Sequence, residues 1–173
     1  MSVTDLYEAA PGSEDDPGSG RVPPQDLAAE QSVLGAMLMS KQAIDPASDL
    51  LQGRDFYRPA HELIFDMIVD LANRGEPADA ITVAAELQRR GDIGRIGGAT
   101  YLHTLVAGVP IASNVDFYAD IVREKAVLRR LVEVGQRIAQ LGQAGQGDVA
   151  DIVDRAQAEV LDVDGTRQAE DYR

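Results

Sequence analysis

The last third of the sequence constrains the fold most, because it predicts two amphipathic helices joined by a glycine-rich turn. The first follows Ser113-Asn114 and runs for about 28 residues, to Leu141 or Gly142. The second begins at an N-cap, Asp148. Two such helices form an antiparallel hairpin. A hairpin two layers thick buries only one seam, so it needs another surface or another copy of itself.

The rest of the sequence predicts five shorter helices and no strand, because apolar residues recur at helical spacing. The residues that mark their ends are Leu27 to Met39 for the first, Asp45 (N-cap), Pro46 and Gly53 for the second, Pro59 and Gly75 for the third, Thr82 (cap) and Gly91 for the fourth, and a turn over 91–98 and Pro110 for the fifth. We therefore expect an all-α chain. A small helical head bundle over 21–110 precedes a long antiparallel hairpin over 111–163.

The formal charge of −13 is concentrated at the two ends of the chain. Residues 1–20 carry −5 with no basic residue, and residues 146–173 carry another −5. The first 20 residues have few large apolar groups, so they predict a disordered acidic tail. The polar end over 164–173 is expected to fray. Overall acidity argues against a chain that grips nucleic acid by phosphate neutralisation alone, so strong direct binding of nucleic acid is not expected.

Composition excludes several kinds of site and structure. The absence of cysteine rules out disulfides, zinc ribbons, Fe–S clusters and a thiol nucleophile, and it favours a reducing compartment. The acidic N-terminus does not resemble a signal peptide. Residues 96–115 lack Asp, Glu, Lys and Arg over 20 positions, but glycine, proline and several polar groups interrupt them. We interpret this stretch as a buried helix and a turn, in a soluble chain with no membrane span.

No motif predicts catalysis, a cofactor or a metal. His61-Glu62 begins like a zinc HExxH motif, but position 65 is Phe, which favours a His on a polar helix face. The glycines over 91–98 lack the Gly-Lys-Ser/Thr ending of a phosphate loop, so they predict a turn and helix caps. The two histidines offer few ways to activate a hydroxyl nucleophile. We expect no catalytic, cofactor-binding or metal-binding residues in this chain.

Two features of the hairpin are candidates for contacts with a partner. Basic residues exceed acidic ones by three over 121–137, and they are Arg123, Lys125, Arg129, Arg130 and Arg137. A solvated face is the common explanation; contact with an acidic segment, including the seventh helix of this or another copy, is the alternative, and DNA tracking is weaker. The candidate oligomer or partner interface is the apolar stripe of Val122, Leu128, Leu131, Val132, Ile138, Leu141, Val153 and Val160. Some of these must close the hairpin within the chain, and the sequence does not apportion them.

Five segments closely resemble the N-terminal domain of DnaB-type replicative DNA helicases. They are Arg21–Gly35 (RVPPQDLAAEQSVLG), Asp55–His61 (DFYRPAH), Ala80–Val83 (AITV), Ile96–Leu102 (IGGATYL) and Tyr118–Lys125 (YADIVREK). They occur in the family's order and spacing, and the likeness covers roughly residues 21–163. Two features depart from the family. Pro46 predicts a shorter or shifted second helix, and the acidic leader before Arg21 is longer than is typical.

This resemblance implies a function that composition does not. Family members are bacterial, cytoplasmic, hexameric helicases whose N-terminal domains form a collar, in which hairpins pair as a trimer of dimers. The resemblance implies self-association, docking of the primase C-terminal domain and room for a helicase loader. ATP and Mg²⁺ belong to a RecA-like motor domain that this chain lacks. Residues 164–173 would begin the linker to that domain.

Two other hypotheses remain open from the sequence. The chain could be a stand-alone acidic helical adaptor or regulatory bundle that resembles the collar by descent only. An intact native protein ending at Arg173 would support that alternative. An enzyme in its own right is a third hypothesis, and it lacks an identifiable nucleophile, base pair or cofactor loop. ATPase activity of this chain would support it.

Overall fold

A computed structural model describes residues 21–110 and 114–163, and every regular element in those two ranges is helical. The α-helices are α1 Leu27–Met39, α2 Ile44–Leu50, α3 Pro59–Asn73, α4 Ala80–Arg89, α5 Ala99–Ala107, α6 Val115–Ala144 and α7 Val149–Leu161. Short 3₁₀ turns occupy Lys41–Ala43, Gly53–Asp55 and Ile93–Ile96. The predicted all-α class is confirmed. The predictions made for residues 1–20, Ser113 and residues 164–173 lie outside the described residues.

Most helix ends follow the sequence signals, because the side chains at those ends satisfy free backbone groups. Asp26 caps α1 by accepting a hydrogen bond from the Ala29 amide at 2.9 Å. Pro59 is the first residue of α3, as predicted. Asp148 caps α7 through the Ala150 amide at 3.2 Å. These three helix starts need no tertiary contact to explain them.

Two of the predicted caps are wrong. Helix α2 continues from the 3₁₀ turn and starts at Ile44, so Asp45 and Pro46 both lie in its first turn. Proline is tolerated there because a first-turn amide has no partner within the helix. Helix α4 is capped by Asp79, whose carboxylate accepts from the Ile81 and Thr82 amides. The Thr82 hydroxyl instead accepts from the Asp79 amide at 3.0 Å, which completes a capping box.

The glycine-rich segment between α4 and α5 is a turn, as predicted. Gly91, Gly97 and Gly98 have φ angles of 78°, 92° and 89°, in the left-handed region that disfavours side chains. The uncharged stretch that follows forms α5, which buries Leu102 and Leu105. Within the described ranges, no helix is long and apolar enough to cross a membrane.

The core of the head forms around α1, which is buried on nearly all sides. Its inward residues include Val33, Leu34 and Met37, each no more than 1% exposed. Helices α3, α5 and the first half of α6 pack against it. Gly35 lets α5 approach closely, because a Cβ there would lie 2.3 Å from the Leu105 carbonyl oxygen. Since α6 contributes to this core, the head and the hairpin share one helix.

Candidate assembly surface on the helical hairpin

Helix α6 has two halves with different surroundings. The first half buries Val115, Ala119, Val122 and Ala126 at spacings of three or four residues, which places them on one face against the head. In the second half only Val134 is buried. A helix of 30 residues is about 45 Å long, so much of its second half packs against α7 alone.

An inner seam closes the hairpin within the chain. On α6 it follows the stripe of Val134, Ile138 and Leu141, which are buried or half-buried. On α7 the half-buried Ile152 and Ala156 face it, and Val163 lies just beyond the helix. Arg137 of α6 pairs with Glu159 of α7 at 2.9 Å beside this seam. The seam is continuous but only one side chain wide.

An outer apolar face remains on the hairpin beside that seam. We define the outer face as Leu128, Leu131, Val132, Val153 and Val160, which are between 43% and 51% exposed. Helical geometry turns its α6 members roughly 100° away from the inner stripe. Val149 and Leu161 are also exposed on α7. Exposed large apolar side chains on neighbouring helices are typical of an association surface.

The structure apportions the eight residues of the predicted interface. Leu128, Leu131, Val132, Val153 and Val160 form the outer face. Ile138 and Leu141 belong to the inner seam, so they serve first to hold the hairpin together. Val122 must be corrected: it is 1% exposed and belongs to the core of the head, which a partner cannot reach.

Two arginines fix the base of the hairpin to the head. Arg130 donates to the carboxylate of Asp55 at 3.0 Å and to the carbonyl oxygen of Val163 at 3.0 Å. Arg129 donates to the carbonyl oxygens of Pro24 and Asp55 at 2.8 and 2.6 Å. Because Asp55 is itself buried, these bonds join the head, α6 and the end of α7 at one point. The hairpin thus leaves the head in a fixed direction.

The predicted basic run of α6 is therefore not a uniform solvated face. Arg129 and Arg130 bind the head, and Arg137 pairs with the seventh helix of the same chain, as one of the two interpretations held. Arg123 is exposed and fits the solvated-face interpretation. The signal that distinguished these residues was their distance along α6 from the head, which the linear sequence does not give.

Sequence reasoning missed a buried polar network in the head. His61 is fully buried, not on a polar face, because its Nδ1 lies 2.8 Å from Glu30 and its Nε2 lies 2.5 Å from the Tyr101 hydroxyl. Glu30 also accepts from the Tyr57 amide at 2.9 Å. A charged residue at a position inside the apolar pattern of α1 was the available signal. The described residues contain no group of three or more His, Cys, Asp or Glu side chains that could hold a metal.

Comparisons with known proteins agree with this architecture. The family described as DnaB-like helicase N-terminal domain matches residues 22–124. The replicative DNA helicase DnaB of Mycobacterium leprae (strain TN) is 61% identical over 167 residues, covering 95% of this chain and 27% of that protein. The chain therefore spans about a quarter of that relative.

Two solved structures are similar to this one. The N-terminal domain of DnaB helicase from Mycobacterium tuberculosis has a TM-score of 0.78 and 64% identity, covering 82% of this chain and 99% of that one. A DnaB-like replicative helicase, described with its interactions with primase, has a TM-score of 0.67 over 80% of this chain and 31% of that one. At 23% identity, it shows the shared fold alone. The family match and the close relatives together show that this chain belongs to the DnaB-like helicase N-terminal domain family.

Proposed function

We propose that this chain is a non-catalytic collar domain of a hexameric replicative helicase, and that its hairpin pairs with the hairpin of a second copy. Membership of the family supports the first statement. The observation that carries the second is the outer face, where five large apolar side chains are about half exposed. Pairing of such faces would give the dimers from which a trimer of dimers is built.

The size of the outer face argues for a weak dimer. Burying the exposed half of each of its five side chains stabilises by about 1 kcal/mol, and a two-fold contact buries each side chain twice. The gross gain is thus about 10 kcal/mol, which is similar to the 4–15 kcal/mol that association costs. Dimerisation of the isolated chain should therefore depend on its concentration. Gly135 lies on the same side of α6, and because a Cβ there would meet no atom within 4 Å, a second helix has room to approach.

Docking of a primase C-terminal domain is the second part of the proposal. The structural neighbour that is described with its interactions with primase supports it through the shared fold. In this chain, the head and the parts of the hairpin not used in pairing would receive primase, so that unwinding and priming stay coupled. A helicase loader is a further partner that the same surfaces could serve.

The catalytic part of the proposal concerns the whole protein and not this chain. The relative from Mycobacterium leprae is several times longer, which supports a parent protein with a motor domain that uses ATP and Mg²⁺. In that protein, residues 164–173 would begin the linker, in the bacterial cytoplasm. The turn over 91–98 does not fit a phosphate site, because it contains no lysine and its glycines serve the turn.

A mass measurement over a concentration series tests the proposal. Sedimentation equilibrium should show the mass rise from one chain to two as concentration increases. Adding a primase C-terminal domain should produce a heavier complex at every concentration. A constant monomer mass at all concentrations would contradict hairpin pairing, and an unchanged mass with primase would contradict docking. ATP hydrolysis by the purified chain would contradict the non-catalytic assignment.

A further inference from the structure

A corner of the head carries guanidinium groups whose charge no described carboxylate neutralises. We define the arginine corner as Arg54, Tyr57, Arg58 and Arg129, which surround the buried Asp55. The Arg129 guanidinium lies 5.6 Å from the centre of the Tyr57 ring. Arg54, Tyr57 and Arg58 are exposed, and Arg129 is half-buried. The corner is thus a continuous surface where α3 begins and α6 passes.

The hydrogen bonds at this corner leave its positive charge in place. Arg129 donates only to backbone carbonyl oxygens, those of Pro24 and Asp55. Arg58 donates to the Tyr101 hydroxyl at 3.5 Å, and its guanidinium lies 5.7 Å from that ring. All these acceptors are neutral. Asp55 is committed to Arg130. Three guanidinium charges therefore face solvent or neutral groups, while the chain as a whole carries −13.

The acidic leader of the same chain reaches the folded region at this corner. Arg129 bonds the carbonyl oxygen of Pro24 at 2.8 Å, so the chain that precedes Pro24 starts beside the corner. Asp5, Glu8, Glu14, Asp15 and Asp16 are the charged residues of the first 20, and all are acidic. Asp16 precedes Pro24 by eight residues, a reach of at most about 28 Å. The acidic groups are thus tethered within reach of the unneutralised arginines.

We propose that the acidic leader, residues 5–16, binds back on the arginine corner of its own chain and shields it from other extended polyanions. The recognition is between carboxylates and the guanidinium groups of Arg54, Arg58 and Arg129. A tether this short gives an effective concentration of about a millimolar, so weak ion pairs are sufficient. The contact is autoinhibitory, because any acidic ligand must displace the leader first. It does not depend on pairing of the hairpins.

A single spin label tests the contact in the full chain. Because the chain has no cysteine, Ser13→Cys accepts one nitroxide label beside Glu14. In the ¹⁵N-labelled protein, the amide signals of Phe56, Tyr57 and Arg58 should lose intensity in about 0.1 M salt, where the Debye length is about 10 Å. The loss should disappear in about 1 M salt, where that length is about 3 Å. Signal loss spread evenly over the head would overturn the proposal.

Matched variants separate the corner from general electrostatics. Arg54→Gln with Arg58→Gln should abolish the local signal loss, whereas Arg123→Gln with Arg155→Gln removes the same charge from exposed sites on the hairpin and should preserve it. Changing the five acidic residues of the leader to amides should have the same effect as the corner variant. That variant alters only residues outside the described ranges, so it remains informative if the corner variant unfolds. Persistent signal loss in the leader variant would overturn the proposal.

Two further measurements identify the occupant. A mixture of ¹⁵N-labelled chains without a nitroxide and unenriched chains with one should show no loss at the corner; a loss there would mean that the leader of a second copy binds, against the proposal. Added poly-glutamate should restore the lost signals by displacing the leader. If an oligothymidylate restores them and poly-glutamate does not, the corner selects nucleic acid, and general shielding from polyanions is wrong.

Discussion

The carboxylate of Glu30 lies 2.8 Å from Nδ1 of His61, and the two residues are 1% and 0% exposed. Glu30 comes from α1 and His61 from α3, while Tyr101 of α5 closes the network at Nε2. With the imidazole proton on Nδ1, Glu30 accepts from His61, and Nε2 accepts from the Tyr101 hydroxyl. The Tyr101 oxygen can then accept from the Gln31 side chain at 3.4 Å. Three helices of the head are therefore joined by one satisfied polar network.

Replacing His61 should destabilise the head strongly. His61→Ala removes a donor from Glu30 and a partner from Tyr101, and it leaves a cavity, for a loss of about 3 kcal/mol in the free energy of unfolding. His103→Ala is the matched control, because His103 is exposed on α5. It should change stability by less than about 0.5 kcal/mol. Urea unfolding measures both, and equal effects of the two substitutions would contradict a structural network.

This network marks where the sequence was insufficient. The helical periodicity of α1 predicted a face from Leu27 to Met39, and the helix occupies that range. The buried carboxylate of Glu30 contradicts that pattern unless its partner is known, and the partner is 31 residues away. Local signals specify helices and caps because the stabilising groups are near in sequence. Long-range partners are set by packing, which the sequence reports only through composition.

The hairpin shows the same division between local and long-range information. The sequence predicted both helices and the turn between them, because Asp148 and the adjoining glycines act locally. It predicted an apolar stripe but not its use. Val122 and Leu128 both appear apolar and surface-spaced, yet the first lies in the head and the second is exposed. Only the position along α6 where the head ends distinguishes them.

The close contact between α1 and α5 predicts opposite effects for two glycine substitutions. Gly35→Ala places a Cβ 2.3 Å from both the Leu105 carbonyl oxygen and the Val109 side chain, so one helix must move. We expect a loss of about 3 kcal/mol. Gly135→Ala, in α6 with no atom within 4 Å, should stabilise the chain by about 0.5–1 kcal/mol. Thermal and urea unfolding of the two variants measure this difference, and a tolerated Gly35→Ala would contradict the packing.

Arg130 should determine how firmly the hairpin is held on the head. Its bonds to Asp55 and to the Val163 carbonyl are partly shielded from solvent, so Arg130→Ala should cost about 2 kcal/mol. Arg130→Lys should recover less than half of that, because an ammonium group does not reproduce a fork that reaches both acceptors. Arg123→Ala is the exposed control and should be close to neutral. Hydrogen exchange should locate the loosening at the end of α7; faster exchange confined to α3 would contradict this role.

A cluster of arginines around Glu86 predicts a pH dependence of stability in acid. The hydrogen bond from Arg89, with those from Arg90 and the charge of Arg74, lowers the pKa of Glu86 from 4.5 to about 2. A carboxyl group whose pKa is lowered on folding contributes stability above its unfolded pKa and loses it as pH falls through its folded pKa. The stability difference between the wild type and Glu86→Gln should therefore be constant above about pH 5 and vanish towards pH 2.

Melting temperatures measured from pH 7 to pH 2 test that window. Glu124→Gln is the control, because Glu124 is exposed on α6 and makes no ion pair with any described residue. Its difference from the wild type should not change in this range. Because the Glu86 pairs are near the surface, about 1 M salt should reduce their contribution at neutral pH. A Glu86→Gln difference that persists unchanged at pH 2 would show that the ion pairs do not carry it.

The outer face of the hairpin gives the prediction that bears most directly on assembly. Leu131→Asp places a carboxylate in the centre of the face, where dimerisation would have to desolvate it twice, once for each copy. Since Leu131 is 50% exposed in the single chain, the substitution should leave folding nearly unchanged and weaken association at least tenfold. Ile81→Asp is the matched control, because Ile81 is 74% exposed on α4, away from the hairpin. It should dimerise like the wild type. Sedimentation over a concentration series measures all three proteins; if Leu131→Asp associates as the wild type does, the copies do not pair through this face, and Val149 and Leu161 on α7 become the next residues to change.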